Sequence, residues 1–177
     1  MLESILPMYN LHPLFVHFPI ALLFLYSAIK ILPLQIWFPR VAWRDIERAL
    51  LFFGVMGAFA ALETGETAEH LVRPNRQLVN AHSTFATATA WLYGLLLVGE
   101  ITAYINARSF IKRYQFAARI FLFVERVLCN RIFSTCIAIV AFGTLSLTGL
   151  LGGVMVYGVG ADPFSSIVLD VLGITYP

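Results

Sequence analysis

The sequence predicts an all-α integral membrane protein, a four-helix bundle that forms one domain over residues 1–177. Of its residues 59% are hydrophobic and only 12% are charged, whereas soluble domains carry about 25% charged residues. The mean hydropathy is +0.81. Four apolar segments are long enough to cross the hydrocarbon core of a bilayer, which takes roughly 20 helical residues.

The first predicted span covers residues 13–38. Pro13 suits the first turn of a helix, because the N–H that proline lacks has no helical partner there. Pro19 and Pro33 lie inside this segment, and membrane helices tolerate such prolines when neighbouring helices satisfy the freed carbonyls. The first ten residues contain no Lys or Arg, so we expect a retained span rather than a cleaved signal peptide.

The second and third predicted spans cover residues 49–65 and 82–105. A short amphipathic entry at 41–48 precedes the second span, which carries a stripe of small residues that includes Gly54 and Gly57. Such stripes allow another helix, or a flat ligand, to approach the backbone closely. Pro74 interrupts the polar connection between these spans, and small, slightly polar residues follow His82.

The segment 108–131 is rich in aromatic and basic residues. It predicts an amphipathic basic helix that lies at an anionic membrane surface between spans three and four. The last predicted span covers residues 132–157 and ends in a glycine-rich stretch, and the tail after it contains two aspartates and no base.

The distribution of Lys and Arg predicts the orientation. With four spans, the N-terminus, the loop between spans two and three, and the C-terminus share one side of the membrane. Of the 12 Lys and Arg residues, that side holds only Arg73 and Arg76. The positive-inside rule places the other side in the cytoplasm. We therefore expect a multi-pass protein of the bacterial inner membrane with both termini extracytoplasmic.

All four histidines fall on the predicted outer side. His12 and His17 begin the first span, His70 follows the second, and His82 begins the third. His17 lies about 7 Å deeper than His12 at 1.5 Å per helical residue. A buried neutral imidazole needs a partner for each ring nitrogen, and a bound ligand would supply one.

A haem b between two of these histidines is the leading interpretation. His17 and His82 are the predicted axial ligands, since both open long spans on the same side. His12 and His70 are secondary candidates, and Arg73 or Arg76 would pair with a propionate. Because the inner side has no histidine, the two-haem arrangement of many membrane cytochromes is excluded.

A bare metal site is an alternative. The four histidines, with Glu63 or Glu66, form a mixed nitrogen and oxygen set suited to zinc, copper or iron. An ionisable residue such as Glu63 at the hydrocarbon edge is a functional candidate, although Glu63 and Glu66 could instead pair with Arg73 or Arg76. The residues in this alternative set are His12, His17, His70, His82, Glu63 and Glu66.

The run His12-Pro-Leu-Phe-Val-His-Phe-Pro-Ile-Ala-Leu-Leu23 resembles the signature of a bacterial membrane family catalogued as domain of unknown function 2231. Further matches follow in order: Thr64-Gly65, His82, and Gly152 to Tyr157 with Gly160. The resemblance implies four spans and no assigned activity. The layout is similar to small b-type cytochromes, and some relatives are associated with Rieske-type iron–sulfur domains, so the resemblance favours electron transfer.

Three function classes therefore stay open. The first is a b-type haem electron carrier or redox-complex subunit, with membrane or extracytoplasmic redox partners and possible exchange with quinol. The second is an accessory subunit without cofactor, and the third is a metal-binding membrane protein. A carrier or subunit is favoured over a stand-alone enzyme, because the sequence shows no hydrolytic constellation and no phosphate loop. The bases cluster at a membrane surface, which gives no support for a nucleic-acid partner.

Overall fold

The computed structural model describes residues 12–71, 75–107 and 115–175, and this part of the chain is all-α. Its helices are α1 (His12–Ile31), α2 (Leu34–Trp37), α3 (Trp43–Leu71), α4 (Arg76–Ala107), α5 (Gln115–Leu128), α6 (Arg131–Tyr157) and α7 (Ser165–Leu172), with a 3₁₀ turn at Val159–Ala161.

Helices α1, α3, α4 and α6 form a ring in that order, and α6 closes it against α1. Sequence neighbours in this ring are antiparallel. Along α3, Gly54 faces Leu23, Gly57 faces Pro19 and Gly65 faces His12, so the numbering rises on one helix as it falls on the other. The antiparallel order brings the start of α1, the end of α3, the start of α4 and the end of α6 to one end of the bundle.

The core lies in two clusters. The central cluster joins all four ring helices through large buried side chains such as Leu23, Tyr26 and Tyr93. The second cluster lies at the histidine-bearing end and consists of Leu78, Leu151, Val154, Leu169 and Ile174. Residues of the C-terminal tail are part of this second cluster, so the tail packs onto the bundle.

The exterior of the bundle is strongly apolar. Large hydrophobic side chains such as Phe24, Phe53, Trp91 and Val140 are 45% or more exposed. Two helical stretches of the described residues are long and apolar enough to cross a membrane, Arg76–Ile105 and Arg131–Tyr157, and α1 adds a shorter apolar stretch, Phe15–Ile31. Exposed apolar surface of this extent is typical of a membrane or protein interface.

The helices differ from the predicted spans at several bounds. The first helix ends at Ile31 rather than continuing to residue 38, because Pro33 cannot donate a backbone hydrogen bond; the short α2 follows it. The predicted entry at 41–48 and the second span form one continuous helix, α3. Helix α4 begins at Arg76, six residues before the third predicted span. Helix α6 matches the last predicted span within one residue.

Helix α5 lies within the segment 108–131, for which the sequence predicts a surface helix. Residues 108–114 lie outside the described part. This helix packs against α4. Gly99 allows the close approach, since a Cβ there would lie 2.7 Å from the Cβ of Leu128. The tail helix α7 was not predicted from the sequence.

Candidate functional site

His12 joins the start of α1 to the end of α3. Its Nδ1 lies 3.1 Å from the hydroxyl oxygen of Thr64, which itself donates to the carbonyl of Ala61 at 3.1 Å. Either group can donate in the His12–Thr64 pair, and the backbone of Ala61 is a further hydrogen-bond partner of His12. The ring lies over Gly65, where a Cβ would come within 3.2 Å of Cε1. Burial lowers the pKa of His12, which favours the neutral imidazole.

His82 makes the equivalent link between α4 and α6. Its Nδ1 donates to the carbonyl oxygen of Thr148 at 3.0 Å. The ring lies over Gly152, where a Cβ would come within 3.3 Å of Cε1. A side chain at either glycine would require the ring above it to shift by a few tenths of an ångström.

The two rings lie at the same end of the bundle, His12 between α1 and α3 and His82 between α4 and α6. In His82 the bond to a backbone carbonyl makes Nδ1 the protonated nitrogen, so Nε2 of the neutral ring carries the lone pair. Histidines that bind metals in proteins are held in this way, with the second ring nitrogen donating to an oxygen that fixes the tautomer and the ring orientation. His12 and His82 thus form the candidate site.

His17 occupies a different position. It follows His12 by five residues, which is about 140° around the helix at 100° per residue, and it is exposed. The structure thus gives His12, rather than His17, the ring placement that matches His82. The assignment of His17 and His82 as axial ligands stays a prediction.

The other predicted site residues are exposed or lie outside the described part of the chain. Glu63 and Arg76 are exposed at this end of the bundle. The side chains of Glu66 and His70, and the whole of Arg73, lie outside the described residues. Within the described part, no three His, Cys, Asp or Glu side chains come together as a metal-binding group.

A charged cluster that the sequence analysis did not identify lies at the opposite end of the bundle. Arg48 bonds to Glu100 at 2.9 Å, Arg44 approaches the same carboxylate at 3.9 Å, and Lys30 lies 3.5 Å from Glu47. Burial raises the pKa of Glu47, and Lys30 opposes this shift. These residues come from α1, α3 and α4, so no local sequence pattern signals their meeting.

Comparison with known proteins gives one family-level result. No curated protein and no solved structure matches the chain. The family model described as "Predicted membrane protein (DUF2231)" matches residues 8–163. That range includes both histidines of the candidate site, the glycines beneath them and all four ring helices. The chain therefore belongs to the DUF2231 family of predicted membrane proteins.

Proposed function

We propose that the four ring helices all span the cytoplasmic membrane of a bacterium, with both termini outside. Two observations support this arrangement. The exterior of the bundle is apolar, and Lys and Arg are in excess toward the end opposite the histidines. Single cysteines at Thr175 and Arg40, in a chain without Cys129 and Cys136, test it. An impermeant maleimide added to intact cells should label position 175 and spare position 40; the reverse pattern contradicts the orientation.

The function that the geometry supports best is one-electron transfer through a haem b held by His12 and His82. The observation that carries the proposal is the matched placement of the two rings: each Nδ1 is hydrogen-bonded to an oxygen, and each ring lies over a glycine on the neighbouring helix. Imidazole nitrogens are among the ligands of haem iron in proteins, so His12 and His82 are the residues that would hold the haem. Arg76 is the described candidate for a propionate, and the haem would supply the redox chemistry.

An accessory subunit without cofactor is the second candidate, and a specific observation favours it. Each histidine already links two helices, and neither of two open cavities in the described part is lined by His12 or His82. A flat cofactor between the rings therefore requires the helix pairs α1–α3 and α4–α6 to move apart at this end. A bare metal site ranks lower, because two imidazoles alone make a poor ligand set.

A dithionite-reduced minus oxidised absorbance spectrum of the purified protein, expressed with added haem precursor, distinguishes these candidates. We expect sharp α and Soret bands that disappear in His12→Ala and in His82→Ala. Arg44→Ala, at the opposite end of the bundle, serves as the control and should keep them. Loss of the bands in His17→Ala but not in His12→Ala would restore the pair predicted from sequence. A spectrum without bands in the wild-type protein would favour the accessory subunit.

A further inference from the structure

A small polar cavity lies at the end of the bundle opposite the histidines, where α1 and α2 meet the beginnings of α3 and α6. Its volume is about 70 Å³. Five polar side chains line it: Lys30, Gln35, Glu47, Arg131 and Thr135. All of them keep accessible surface, and even Glu47 has 7% of its side-chain surface open. A group that enters the cavity can therefore contact them.

Most of the hydrogen-bond donors in this cavity are unused. Within the described part of the chain, the side chains of Gln35, Arg131 and Thr135 make no hydrogen bond and no ion pair. Lys30 carries three N–H donors, and its contact with Glu47 at 3.5 Å occupies one of them. A group that accepts several hydrogen bonds at once would satisfy these donors.

The charges of the cavity favour an anion. Lys30 and Arg131 bring two positive charges, and Glu47 brings one negative charge that Lys30 offsets at 3.5 Å. A cation would meet two like charges, whereas an anion meets an excess of positive charge. A phosphate group matches this set of donors, because its oxygens accept charge-assisted hydrogen bonds from arginine and lysine.

The size and surroundings of the cavity indicate where the phosphate comes from. A volume of about 70 Å³ is well below the range of sites that enclose small molecules, about 300–1,000 Å³, so the rest of the ligand lies outside. Leu32 lines the cavity and is 47% exposed, and Ile36 and Trp37 of α2 are 73% and 59% exposed. Tryptophan is enriched at membrane–water interfaces. The apolar surface beside the cavity therefore fits the acyl chains of a lipid.

We propose that this cavity binds the phosphate of an anionic phospholipid such as phosphatidylglycerol. Arg131 and Lys30 pair with the phosphate, the hydroxyl of Thr135 donates to it, and the acyl chains lie along Leu32 and Ile36. Basic pockets between membrane helices bind such head groups on the cytoplasmic side, which is the side proposed above for this end of the bundle. The proposal involves no histidine and does not depend on a haem.

A bound phosphate would link two helices where the ring closes. Lys30 lies on α1 and Arg131 on α6, the first and last helices of the ring. A ligand that binds only the folded protein raises its stability by mass action. Lipid binding should therefore be measurable both as an affinity and as a rise in the thermal midpoint.

Native mass spectrometry of the full-length protein in a neutral detergent tests the proposal, with phosphatidylcholine as the lipid without net charge. We expect one phosphatidylglycerol to bind about tenfold more tightly than phosphatidylcholine. Arg131→Ala and Thr135→Val should each weaken this site about tenfold, the equivalent of a hydrogen bond to a charged group. Both variants should fold, because Arg131 is exposed and the hydroxyl of Thr135 has no partner in the described part of the chain.

Arg40→Ala is the matched control. Arg40 is exposed at the same end of the bundle and does not line the cavity, so its loss removes the same charge outside the site. It should leave the affinity and the lipid-induced rise in thermal midpoint unchanged. Equal losses in Arg40→Ala and Arg131→Ala would show that the net charge of this end alone attracts the lipid, and would overturn the proposal. Equal binding of the two lipids by the wild type would do the same.

Inorganic phosphate distinguishes a lipid from a soluble anion. Added at millimolar concentration to the wild-type protein, it should leave phosphatidylglycerol bound, because the acyl chains make contacts that the free ion lacks. If inorganic phosphate displaces the lipid and raises the thermal midpoint by itself, the cavity is a site for a soluble phosphate and the lipid proposal is rejected.

Discussion

The hydroxyl oxygen of Ser27 lies 2.6 Å from the phenolic oxygen of Tyr93, and both side chains are fully buried in the central core. This hydrogen bond joins α1 to α4, two helices that face each other diagonally across the bundle. The ring of Tyr26 packs edge-on against that of Tyr93 with centroids 6.0 Å apart. Each hydroxyl satisfies the other in an apolar setting, so neither can be removed alone without leaving its partner unsatisfied.

A double-mutant cycle on this pair should show strong coupling. Ser27→Ala and Tyr93→Phe are each expected to lower the free energy of unfolding by about 1–3 kcal/mol, the cost of an orphaned buried hydroxyl. The double variant should be less destabilised than the sum of the two, because it leaves no orphan. Reversible unfolding in mixed micelles measures this. Strict additivity would show that the two hydroxyls do not depend on each other.

The two arginines near Glu100 should differ in their contributions to stability. Arg48 bonds to this carboxylate at 2.9 Å with its side chain 30% exposed, whereas Arg44 is 3.9 Å away and 62% exposed. Exposed ion pairs contribute about 0.2–1 kcal/mol, and breaking a buried pair costs about 3–5 kcal/mol. Arg48→Ala should therefore reduce the unfolding free energy several times more than Arg44→Ala. Equal effects would mean that solvent screens both pairs alike.

The burial of Glu47 predicts a dependence of stability on pH. Its pKa is raised above 4.5 in the folded protein, so the folded state binds more protons than the unfolded state between 4.5 and the raised pKa. By linkage, the unfolding free energy falls as pH rises through that window. Glu47→Gln should remove this slope. Asp45→Asn, at a side chain 78% exposed, should leave it; an unchanged slope in Glu47→Gln would assign it to another group.

The docking of α5 on α4 should depend on the absence of a side chain at residue 99. Gly99→Ala places a methyl group 2.7 Å from Cβ of Leu128, and such overpacking costs about 1–3 kcal/mol. Gly94→Ala is the matched control on the same helix, where the nearest atom would be 3.9 Å away. Proteolysis within 115–128 should accelerate in Gly99→Ala only. If both variants resist cleavage equally, the contact between the helices is not tight.

The tail should contribute to the stability of the histidine-bearing end. Leu169 is buried against α4 and α6, and the side-chain amide of Asn75 donates to the carbonyl of Thr175 at 2.8 Å. Leu169→Ala is expected to cost about 2–5 kcal/mol through the cavity it leaves. Val171→Ala, at a side chain 81% exposed, should be nearly neutral. Comparable thermal midpoints for the two variants would show that the tail is not packed as described.

Hydropathy alone located the main helices, because each apolar run is local in the chain. The last apolar segment predicts a helix over 132–157, and α6 lies at Arg131–Tyr157. The break after the first span follows from Pro33. The sequence pattern does not show that α3 begins at Trp43, because the charged residues at 44–48 interrupt the apolar run. The partners of these charges, Lys30 and Glu100, lie on other helices, so they cannot be identified from the local sequence. The helix in the tail was missed for a similar reason, since its burial depends on α4 and α6.

For the candidate site, the sequence determined that the histidines share one end of an all-α membrane protein, because the alternating direction of successive helices fixes which end each of them reaches. The tertiary structure alone decided that His12 has the ring placement matching that of His82, and that Ser165, in the tail, is fully buried. Those facts depend on how far each helix is rotated toward its neighbours. The rotation is set by close contacts between residues distant in the chain, such as Gly65 with His12 and Gly152 with His82, which no local pattern records.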